Sequence, residues 1–332
     1  MSAGAGRGAE GSARPRVTVV TPLYNSSAFI AATLDSLRAQ TFGDWESILV
    51  DDGSTDATAS VVEPYIATDA RFRLIRQENR GIAGARNTAI REAAGEWVCL
   101  LDHDDRWLPE KLEKQLSYAA AHGLDIVCTD ALIVTESGRW VYSRGFPEVA
   151  AEVARAARDD SVDVLGQLIK LDFLCASSVM IRRRLFDERG LLDPDAVPAD
   201  DYDMWLRCMP GARLGFLSEP LIEYVVHAGN FSKHEALMIE KTVSVLQRHR
   251  RRLSGDARRR RQFDESLAVQ LGLLYEKLAA RGSRLRAMRR VAALSKGGPG
   301  LLGLVRFAVW SPLAARARNS ARYRLGLLLR KA

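Results

Sequence analysis

Three carboxylates stand close together after an apolar stretch of the chain. Asp102, Asp104 and Asp105 follow residues 97–101, a run that is typical of a buried strand. Side chains alternate along extended backbone, so Asp102 and Asp104 point to the same side. Such a pair at the carboxyl end of a strand can hold a divalent cation that bridges substrate phosphates, and the cation offsets the repulsion between like charges. An acidic turn before the helix that Pro109 opens is the alternative.

A second acidic pair follows another predicted strand. Asp51 and Asp52 come directly after residues 45–50, and Gly53 permits a tight turn at this point. A carboxylate here can accept the imide N–H of a uracil or the hydroxyl groups of a ribose. The alternative is a plain turn followed by a helix cap, because residues 54–56 are Ser, Thr and Asp, which all cap helices well.

Glycines and arginines meet at a predicted helix start within residues 79–87. Backbone N–H groups at a helix N-terminus favour phosphate, and an arginine such as Arg86 binds phosphate through two nitrogens. The spacing is not Gly-x-Gly-x-x-Gly, so a Rossmann dinucleotide site loses support. Packing of a helix against a sheet also uses small residues, and this alternative remains.

Two later features complete the candidate chemistry. Asp200, Asp201 and Asp203 precede an apolar helix face, and crowding among carboxylates can raise a pKa into the working range of a general base. His227 ends an apolar strand, and a neutral imidazole could complete a metal site built on a carboxylate pair. The alternatives are an exposed acidic helix start and an ordinary structural histidine.

The elements around these clusters alternate between strand and helix. This rhythm predicts an α/β fold with a mainly parallel sheet flanked by helices, and it places the clusters at one edge of the sheet. The predicted strands are residues 17–22, 45–50, 72–75 and 97–101, and the helices between them are residues 29–39, 57–65 and 83–93. Further along we predict helices at 110–121 and 200–208, strands at 125–128, 173–181 and 221–226, a hairpin at 133–141 and an unpatterned, mobile flap at 145–163.

Composition describes a globular chain of 332 residues with a strong charge asymmetry. Residues 241–332 hold 23 Lys and Arg against 4 Asp and Glu. Residues 1–240 hold 25 Lys and Arg against 37 Asp and Glu. Residues 1–16 lack the apolar core of a signal peptide and are predicted to be a disordered leader. No stretch reaches the eighteen apolar residues that a membrane span needs. Four scattered cysteines indicate reduced thiols and a cytoplasmic location.

The basic C-terminal region is predicted to be helical. Leucines at 267, 271, 274 and 278 form a stripe that packs, and residues 304–310 alternate apolar side chains with arginine. A basic amphipathic segment is typical of peripheral binding to an anionic membrane surface, here the inner face of the membrane. A solvated helical face explains the pattern equally well. Nucleic acid is not expected as a partner, because no recognised motif supports it.

The order of these motifs over residues 17–235 resembles the inverting glycosyltransferases of family 2, which have a GT-A fold. The resemblance rests on segments at 19–25, 51–56, 79–87, 102–105, 200–207 and 224–232, found in the family's order. It implies a nucleotide-diphosphate sugar donor, with a UDP-sugar favoured, and Mg²⁺ or Mn²⁺. By position, Thr21 and Asp51 or Asp52 would line the nucleoside pocket and Arg86 would lie near the donor phosphates. Asp102 and Asp104 would form the Asp-x-Asp pair, Asp201 would be the catalytic base and His227 would lie near the metal.

One departure from the family leaves the base open between two residues. Position 200 is often Glu in the family and is Asp here, so either Asp200 or Asp201 could take the proton. The implied reaction transfers the sugar to a hydroxyl of a glycan or a lipid-linked acceptor. We divide the chain into the leader 1–16, a GT-A catalytic domain 17–235 and a basic helical C-terminal region 236–332.

Two other functions fit the sequence less well. A sugar-phosphate nucleotidyltransferase would have a Gly-rich loop with Arg and Lys after the first strand, where this chain has Pro22, Leu23, Tyr24 and Asn25. A non-catalytic binder of nucleotide sugars or polyanions would not require Asp102, Asp104 and Asp201 together.

Overall fold

A single mixed sheet organises the protein. The computed structural model describes residues 14–230 and 234–295, and within them the sheet has nine strands. The strands are β1 Val17–Leu23, β2 Trp45–Asp51, β3 Phe72–Arg76, β4 Trp97–Leu100, β5 Arg106–Trp107, β6 Ile126–Thr135, β7 Gly138–Val141, β8 Met180–Arg182 and β9 Leu214–Val225.

Helices connect these strands and then form the C-terminal part of the described chain. They are α1 Ile30–Arg38, α2 Thr58–Thr68, α3 Gly81–Arg91, α4 Lys111–His122, α5 Pro147–Val153, α6 Val164–Lys170, α7 Arg184–Arg189, α8 Asp200–Cys208, α9 Glu235–Arg252, α10 Ala257–Ala280 and α11 Arg284–Leu294. The predicted helices at 110–121 and 200–208 therefore form within one residue of their expected bounds.

The strand order is β3-β2-β1-β4-β8-β6-β9-β5, with β7 paired to β6 as the predicted hairpin. The first four strands are parallel to one another, as expected from their helical connections. The second half is mixed, because β8 runs antiparallel to both β4 and β6, while β6 and β9 are parallel. The carboxyl ends of β1, β2 and β4 consequently meet at one edge.

Alternation along the strands supplies a core on each face of the sheet. Val19 and Cys99 pack on one side with α1, α2 and α4, whereas Val20 and Val98 pack on the other with α3 and the later helices. All of these side chains are buried. The sheet is therefore covered on both faces, as predicted for this arrangement.

The C-terminal helices join the second of these cores. Leu246 of α9, Leu267 and Leu271 of α10, and Val291 of α11 lie in the same apolar cluster as Val20. The division at residue 235 stays a prediction, and residues 1–13 and 296–332, including the segment 304–310, lie outside the described residues. No helix in the described part of the chain is both long and apolar enough to cross a membrane.

Several segments differ from expectation: the strand predicted at 221–226 begins at Leu214, the strand predicted at 125–128 runs to Thr135, and Arg106–Trp107 forms a short strand that was not predicted. The strand predicted at 173–181 is replaced by the short strand Met180–Arg182, and a 3₁₀ turn at Ala176–Ser178 precedes it. Residues 145–163, predicted to be an unpatterned flap, contain α5, whose Val153 is fully buried. The four cysteines are free thiols, as predicted.

Candidate active site

A cleft of about 1370 Å³ lies at the edge where β1, β2 and β4 end. The loops after these strands line it together with α8, the segment after β9, and parts of α5, α9 and α10. The sequence-predicted residues among its lining are Asp52, Arg86, Asp102, Asp104, Asp201 and His227. The fold thus brings clusters from five separate parts of the chain to one cavity.

Arg86 joins two of these clusters directly. This α3 residue is 3% exposed, and its Nη2 lies 2.6 Å from Asp102 Oδ1 while its Nη1 lies 3.1 Å from Asp200 Oδ2. Burial lowers the pKa of the guanidinium, but the neighbouring carboxylates outweigh burial and raise it, so Arg86 stays charged. The buried ion pairs hold the Asp-x-Asp loop and the start of α8 together.

The two adjacent carboxylates of α8 have different surroundings. Asp200 is 2% exposed and is neutralised by Arg86. Asp201 is partly exposed in the cleft, and its Oδ1 accepts the Tyr202 backbone N–H at 2.7 Å. Burial of the carboxyl group raises the pKa of Asp201 to about 8, and the charges of Asp172 and Asp200 add to the shift. A carboxylate with this pKa can accept a proton near neutral pH.

Asp203, the third carboxylate of this cluster, packs between α8 and α9. It accepts hydrogen bonds from His249 Nε2 at 3.0 Å and from Arg207 Nε at 2.9 Å, and it is buried. Burial opposes ionisation, but these contacts lower the pKa of Asp203. The residue therefore ties the helix that carries Asp201 to the C-terminal region.

Asp104 and His227 meet across the cleft. Asp104 Oδ2 lies 2.9 Å from His227 Nε2 and accepts a hydrogen bond from Asn230 Nδ2 at 3.0 Å. The imidazole stacks on Phe29 with ring centroids 4.1 Å apart. Its Nδ1 accepts the Gly229 N–H at 3.1 Å, which assigns the ring proton to Nε2 and makes Asp104 its acceptor.

A divalent cation fits this part of the site with few protein ligands. Within residues 14–230 and 234–295, no group of three or more His, Cys, Asp or Glu side chains converges on one point. Mg²⁺ needs fewer, since it is commonly held by one or two carboxylates together with substrate phosphates. Asp104 suits this arrangement, whereas His227 could bind a cation through Nε2 only after its ring proton moved to Nδ1, which now accepts the Gly229 N–H.

Asp105 is the buried centre of the Asp-x-Asp loop. Its Oδ2 accepts a hydrogen bond from Ser177 Oγ at 2.5 Å, and the same Oγ accepts the Asp102 backbone N–H at 3.1 Å. Its Oδ1 accepts the Val225 N–H at 3.2 Å, two residues before His227. Asp105 therefore links the loop that carries Asp102 and Asp104 to the end of β9.

Asp51 and Asp52, the acidic pair at the end of β2, stabilise a tight turn beside the cleft. Asp51 Oδ1 accepts the Ser54 N–H at 3.0 Å, and Gly53 has a φ of 79°, which glycine adopts without strain. Asp52 Oδ1 accepts hydrogen bonds from Gln77 Nε2 at 2.6 Å and from the Arg80 N–H at 2.8 Å. These contacts fix both carboxylates and tie the turn to the start of α3.

Thr21 lies on β1, next to this turn. Its hydroxyl is buried and has no hydrogen-bond partner among the described residues. Thr21 is fully buried and, like Asp51, does not line the cleft, so its predicted place in the nucleoside pocket is not seen in this structure.

Sequence reasoning gave no role to Ser177, Asn230, Phe29 or Asp172, all of which contact or adjoin the site. Asn230 carried a signal, because it lies three residues after His227 in a Gly-Asn-containing turn. Ser177 and Asp172 carried none, since they stand in an apolar segment whose turn was not predicted.

Comparison with known proteins agrees with this geometry. The family model for glycosyl transferase family 2 matches residues 18–190, just over half of the chain. The Escherichia coli protein WfgD, a UDP-Glc:α-D-GlcNAc-diphosphoundecaprenol β-1,3-glucosyltransferase, is 40% identical over 194 residues, which cover 57% of this chain and 68% of WfgD. Bacillus subtilis TuaG, named provisionally for teichuronic acid biosynthesis, is 38% identical over 126 residues, which cover 38% of this chain and 50% of TuaG.

Solved structures share the fold. Staphylococcus aureus TarS in complex with UDP-GlcNAc superposes with a TM-score of 0.61 and 20% identity, covering 94% of this chain and 92% of TarS. Pyrobaculum calidifontis PcManGT, in complex with GDP-Man and Mn²⁺, superposes with a TM-score of 0.59 and 23% identity. The match covers 95% of this chain and 88% of PcManGT. The predicted GT-A fold is thereby confirmed. The sequence matches are shorter, and the one to TuaG spans half of that protein's length.

Proposed function

Because this chain belongs to glycosyl transferase family 2, we propose that it transfers a sugar from a UDP-sugar to an acceptor hydroxyl with inversion at the anomeric carbon. The observation that carries this proposal is the Arg86 bridge. It joins Asp102 to Asp200 and so sets the Asp-x-Asp loop and the Asp201 helix at one cleft. The residues proposed for donor binding and the proposed base lie far apart in sequence, and this bridge brings them together in space.

The donor half of the cleft is assigned to the loops after β1, β2 and β4. By their places in the family's motifs, Thr21, Asp51 and Asp52 would form the nucleoside pocket, and of these three residues Asp52 lines the cleft. Complexes of TarS with UDP-GlcNAc and of PcManGT with GDP-Man support a nucleotide-sugar donor in general. The choice of UDP follows the name of WfgD, whose donor is UDP-Glc.

Arg86 acts on the donor through its charge and its position. Both of its terminal nitrogens contact carboxylates in this structure, which is compatible with the place near the donor phosphates that the family's motif implies. A buried cation beside the departing diphosphate stabilises the negative charge that develops there.

Asp104 is the proposed protein ligand of Mg²⁺ or Mn²⁺, with Asp102 and His227 as the other candidates. The complex of PcManGT with Mn²⁺ supports a metal in a protein of this fold. When bound, such a cation would neutralise charge on the diphosphate leaving group. In this structure, hydrogen bonds from Asn230 and His227 fix the Asp104 carboxylate through its Oδ2 atom.

Asp201 is the proposed general base. It lies in the cleft without the ion pair that neutralises Asp200, and its raised pKa suits proton transfer. The acceptor oxygen forms a bond to the anomeric carbon while the bond from that carbon to the diphosphate oxygen breaks. The hydroxyl proton passes to Asp201, and the nucleoside diphosphate departs from the opposite face, so the configuration inverts.

The acceptor is proposed to be a hydroxyl of a glycan or of a lipid-linked glycan. WfgD, whose name specifies a diphosphoundecaprenol-linked acceptor, supports the second possibility. A lipid-linked acceptor would place the enzyme on the cytoplasmic face of a membrane, as a peripheral protein held by its basic C-terminal region.

A donor screen tests the proposal. The protein is incubated with UDP-, GDP- and dTDP-sugars in Mn²⁺ or in EDTA, and release of nucleoside diphosphate is measured alongside calorimetric binding. We expect turnover of a UDP-sugar that EDTA abolishes. Binding without turnover would indicate a non-catalytic nucleotide-sugar protein, and neither binding nor turnover of any donor would overturn the proposal.

A further inference from the structure

Helix α11 exposes two large apolar side chains. Leu285 is 57% exposed and Met288 is 41% exposed, at a spacing of three residues that puts them on one side of the helix. Ala287 and Val291 are buried on the other side, against the rest of the protein. The helix therefore already has a packed face, and its second apolar stripe points away from the core.

Arginines surround this stripe. Arg281, Arg284, Arg286 and Arg289 are exposed, whereas Arg290 pairs with Glu240 of α9 at 2.6 Å. The sequence contains no Asp or Glu after Glu276, so no acidic side chain of the C-terminal 56 residues offsets these charges. We call Leu285, Met288 and these four arginines the α11 surface.

We propose that the α11 surface docks the protein onto an anionic lipid membrane. Apolar side chains flanked by cations match the two layers of such a surface, since the stripe enters the acyl boundary while the guanidinium groups contact the headgroups. This inference deepens the proposed function by naming the residues that hold the enzyme at the membrane.

A nucleic acid fits the α11 surface less well. Phosphates would satisfy the arginines, but binding to single strands relies on aromatic side chains on which bases stack. The residues of α11 include no aromatic side chain, and the exposed stripe is aliphatic and thioether in character. An anionic lipid surface can contact both the arginines and the apolar stripe.

Vesicle flotation of the full chain tests this proposal. Vesicles of phosphatidylcholine alone are compared with vesicles that also contain phosphatidylglycerol, and the fraction of protein that floats gives a partition coefficient. We expect binding only to the anionic vesicles. Leu285→Ser combined with Met288→Ser should lower the coefficient at least about tenfold, because the inserted apolar area is lost.

A variant with reversed charges tests the contact between the arginines and the lipid headgroups. Arg284→Glu, Arg286→Glu and Arg289→Glu together should lower partitioning roughly a hundredfold, since each cation near an anionic surface contributes about a fivefold effect. Matched controls are Leu237→Ser, which alters an exposed leucine of α9, and Arg91→Glu, which alters an exposed arginine of α3. Both controls should float like the unaltered protein.

Two results would overturn the proposal. If the α11 variants float as well as the controls, another part of the chain binds the membrane or covers this surface. If only the charge variant loses binding, the surface is a general polyanion site. Release of UDP from a donor in vesicle-free buffer should be unchanged in the variants, so failure of flotation is distinguishable from failure of the proposed reaction.

Discussion

Asp200 and Asp201 are neighbours in sequence, and burial raises the pKa of both carboxyl groups, but their charged contacts differ. Asp200 is buried against Arg86, whereas Asp201 borders the cleft near Asp172. Environments that separate the properties of two carboxylates also separate their roles. We therefore propose that Asp200 anchors Arg86 and that Asp201 takes the proton from an acceptor.

The pKa of Asp201 predicts the pH profile. A base acts only when deprotonated, so with a pKa raised to about 8 the value of kcat/KM should rise with pH and level off above this region. Asp172→Asn removes a neighbouring negative charge and should move the inflection to lower pH. A profile that is flat between pH 6 and 9, or an inflection that Asp172→Asn leaves in place, would contradict this assignment.

The Ser177 hydroxyl yields a prediction about metal use. Ser177→Ala removes the contact that joins Asp105 to the Asp102 backbone, and it leaves buried polar groups unsatisfied at a cost of about 1–3 kcal/mol. Since this contact shapes the Asp-x-Asp loop, we expect the Mn²⁺ concentration for half-maximal activity to rise several-fold.

The next residue supplies the control. Ser178 Oγ donates a hydrogen bond to the Cys175 carbonyl at 2.7 Å, away from Asp105. Ser178→Ala should lower the melting temperature without changing the Mn²⁺ requirement. Equal shifts in the Mn²⁺ requirement for both variants would show that Ser177 acts only through general stability.

At the scale of elements, periodic segments were predictable and turns were not. The strands at 17–22, 45–50 and 97–101 are β-branched or apolar runs bounded by Gly, Pro or Asp, and each forms as predicted. The segment 173–181 has the same apolar character, but its 3₁₀ turn exists because Ser177 contacts Asp105 and Trp107 donates to its carbonyl. Such tertiary contacts leave no local signal.

For the candidate site, the residues within motifs were predictable from the sequence, but their long-range contacts were not. Motif order identified Asp102, Asp104, Asp201 and His227 as members of one cleft, and the structure brings them there. It could not show that the two terminal nitrogens of Arg86 are occupied by carboxylates, because that pairing joins residues 114 positions apart. Long-range ion pairs depend on the packed fold rather than on the spacing within one segment.

Helix α10 tests how the C-terminal region relates to the sheet. Leu271 is 2% exposed within the apolar cluster that also contains Val20 of β1. Leu271→Ala should lower the free energy of unfolding by about 2–5 kcal/mol while unfolding stays a single transition. Leu285→Ala, at an exposed position, should change it by less than about 0.5 kcal/mol. A separate transition for the C-terminal helices would support the predicted division at residue 235.

At the scale of the whole molecule, residues 1–240 carry a net negative charge and residues 241–332 carry a net positive charge. The candidate site is rich in carboxylates, while the C-terminal region is strongly basic. An anionic donor approaches such a site more readily when a divalent cation is bound with it, since the cation offsets the like charges. Under the proposal made above, the basic region binds the membrane surface rather than the donor.

The central claim is that Asp201 accepts the proton during transfer from a UDP-sugar. Its most direct test measures UDP-sugar turnover and UDP binding in Mn²⁺ for the unaltered chain, Asp201→Asn and Asp200→Asn. We predict that Asp201→Asn binds UDP normally but loses roughly 10²–10⁴-fold in turnover, the usual contribution of a general base. Full turnover in Asp201→Asn, together with its abolition in Asp200→Asn, would contradict the account.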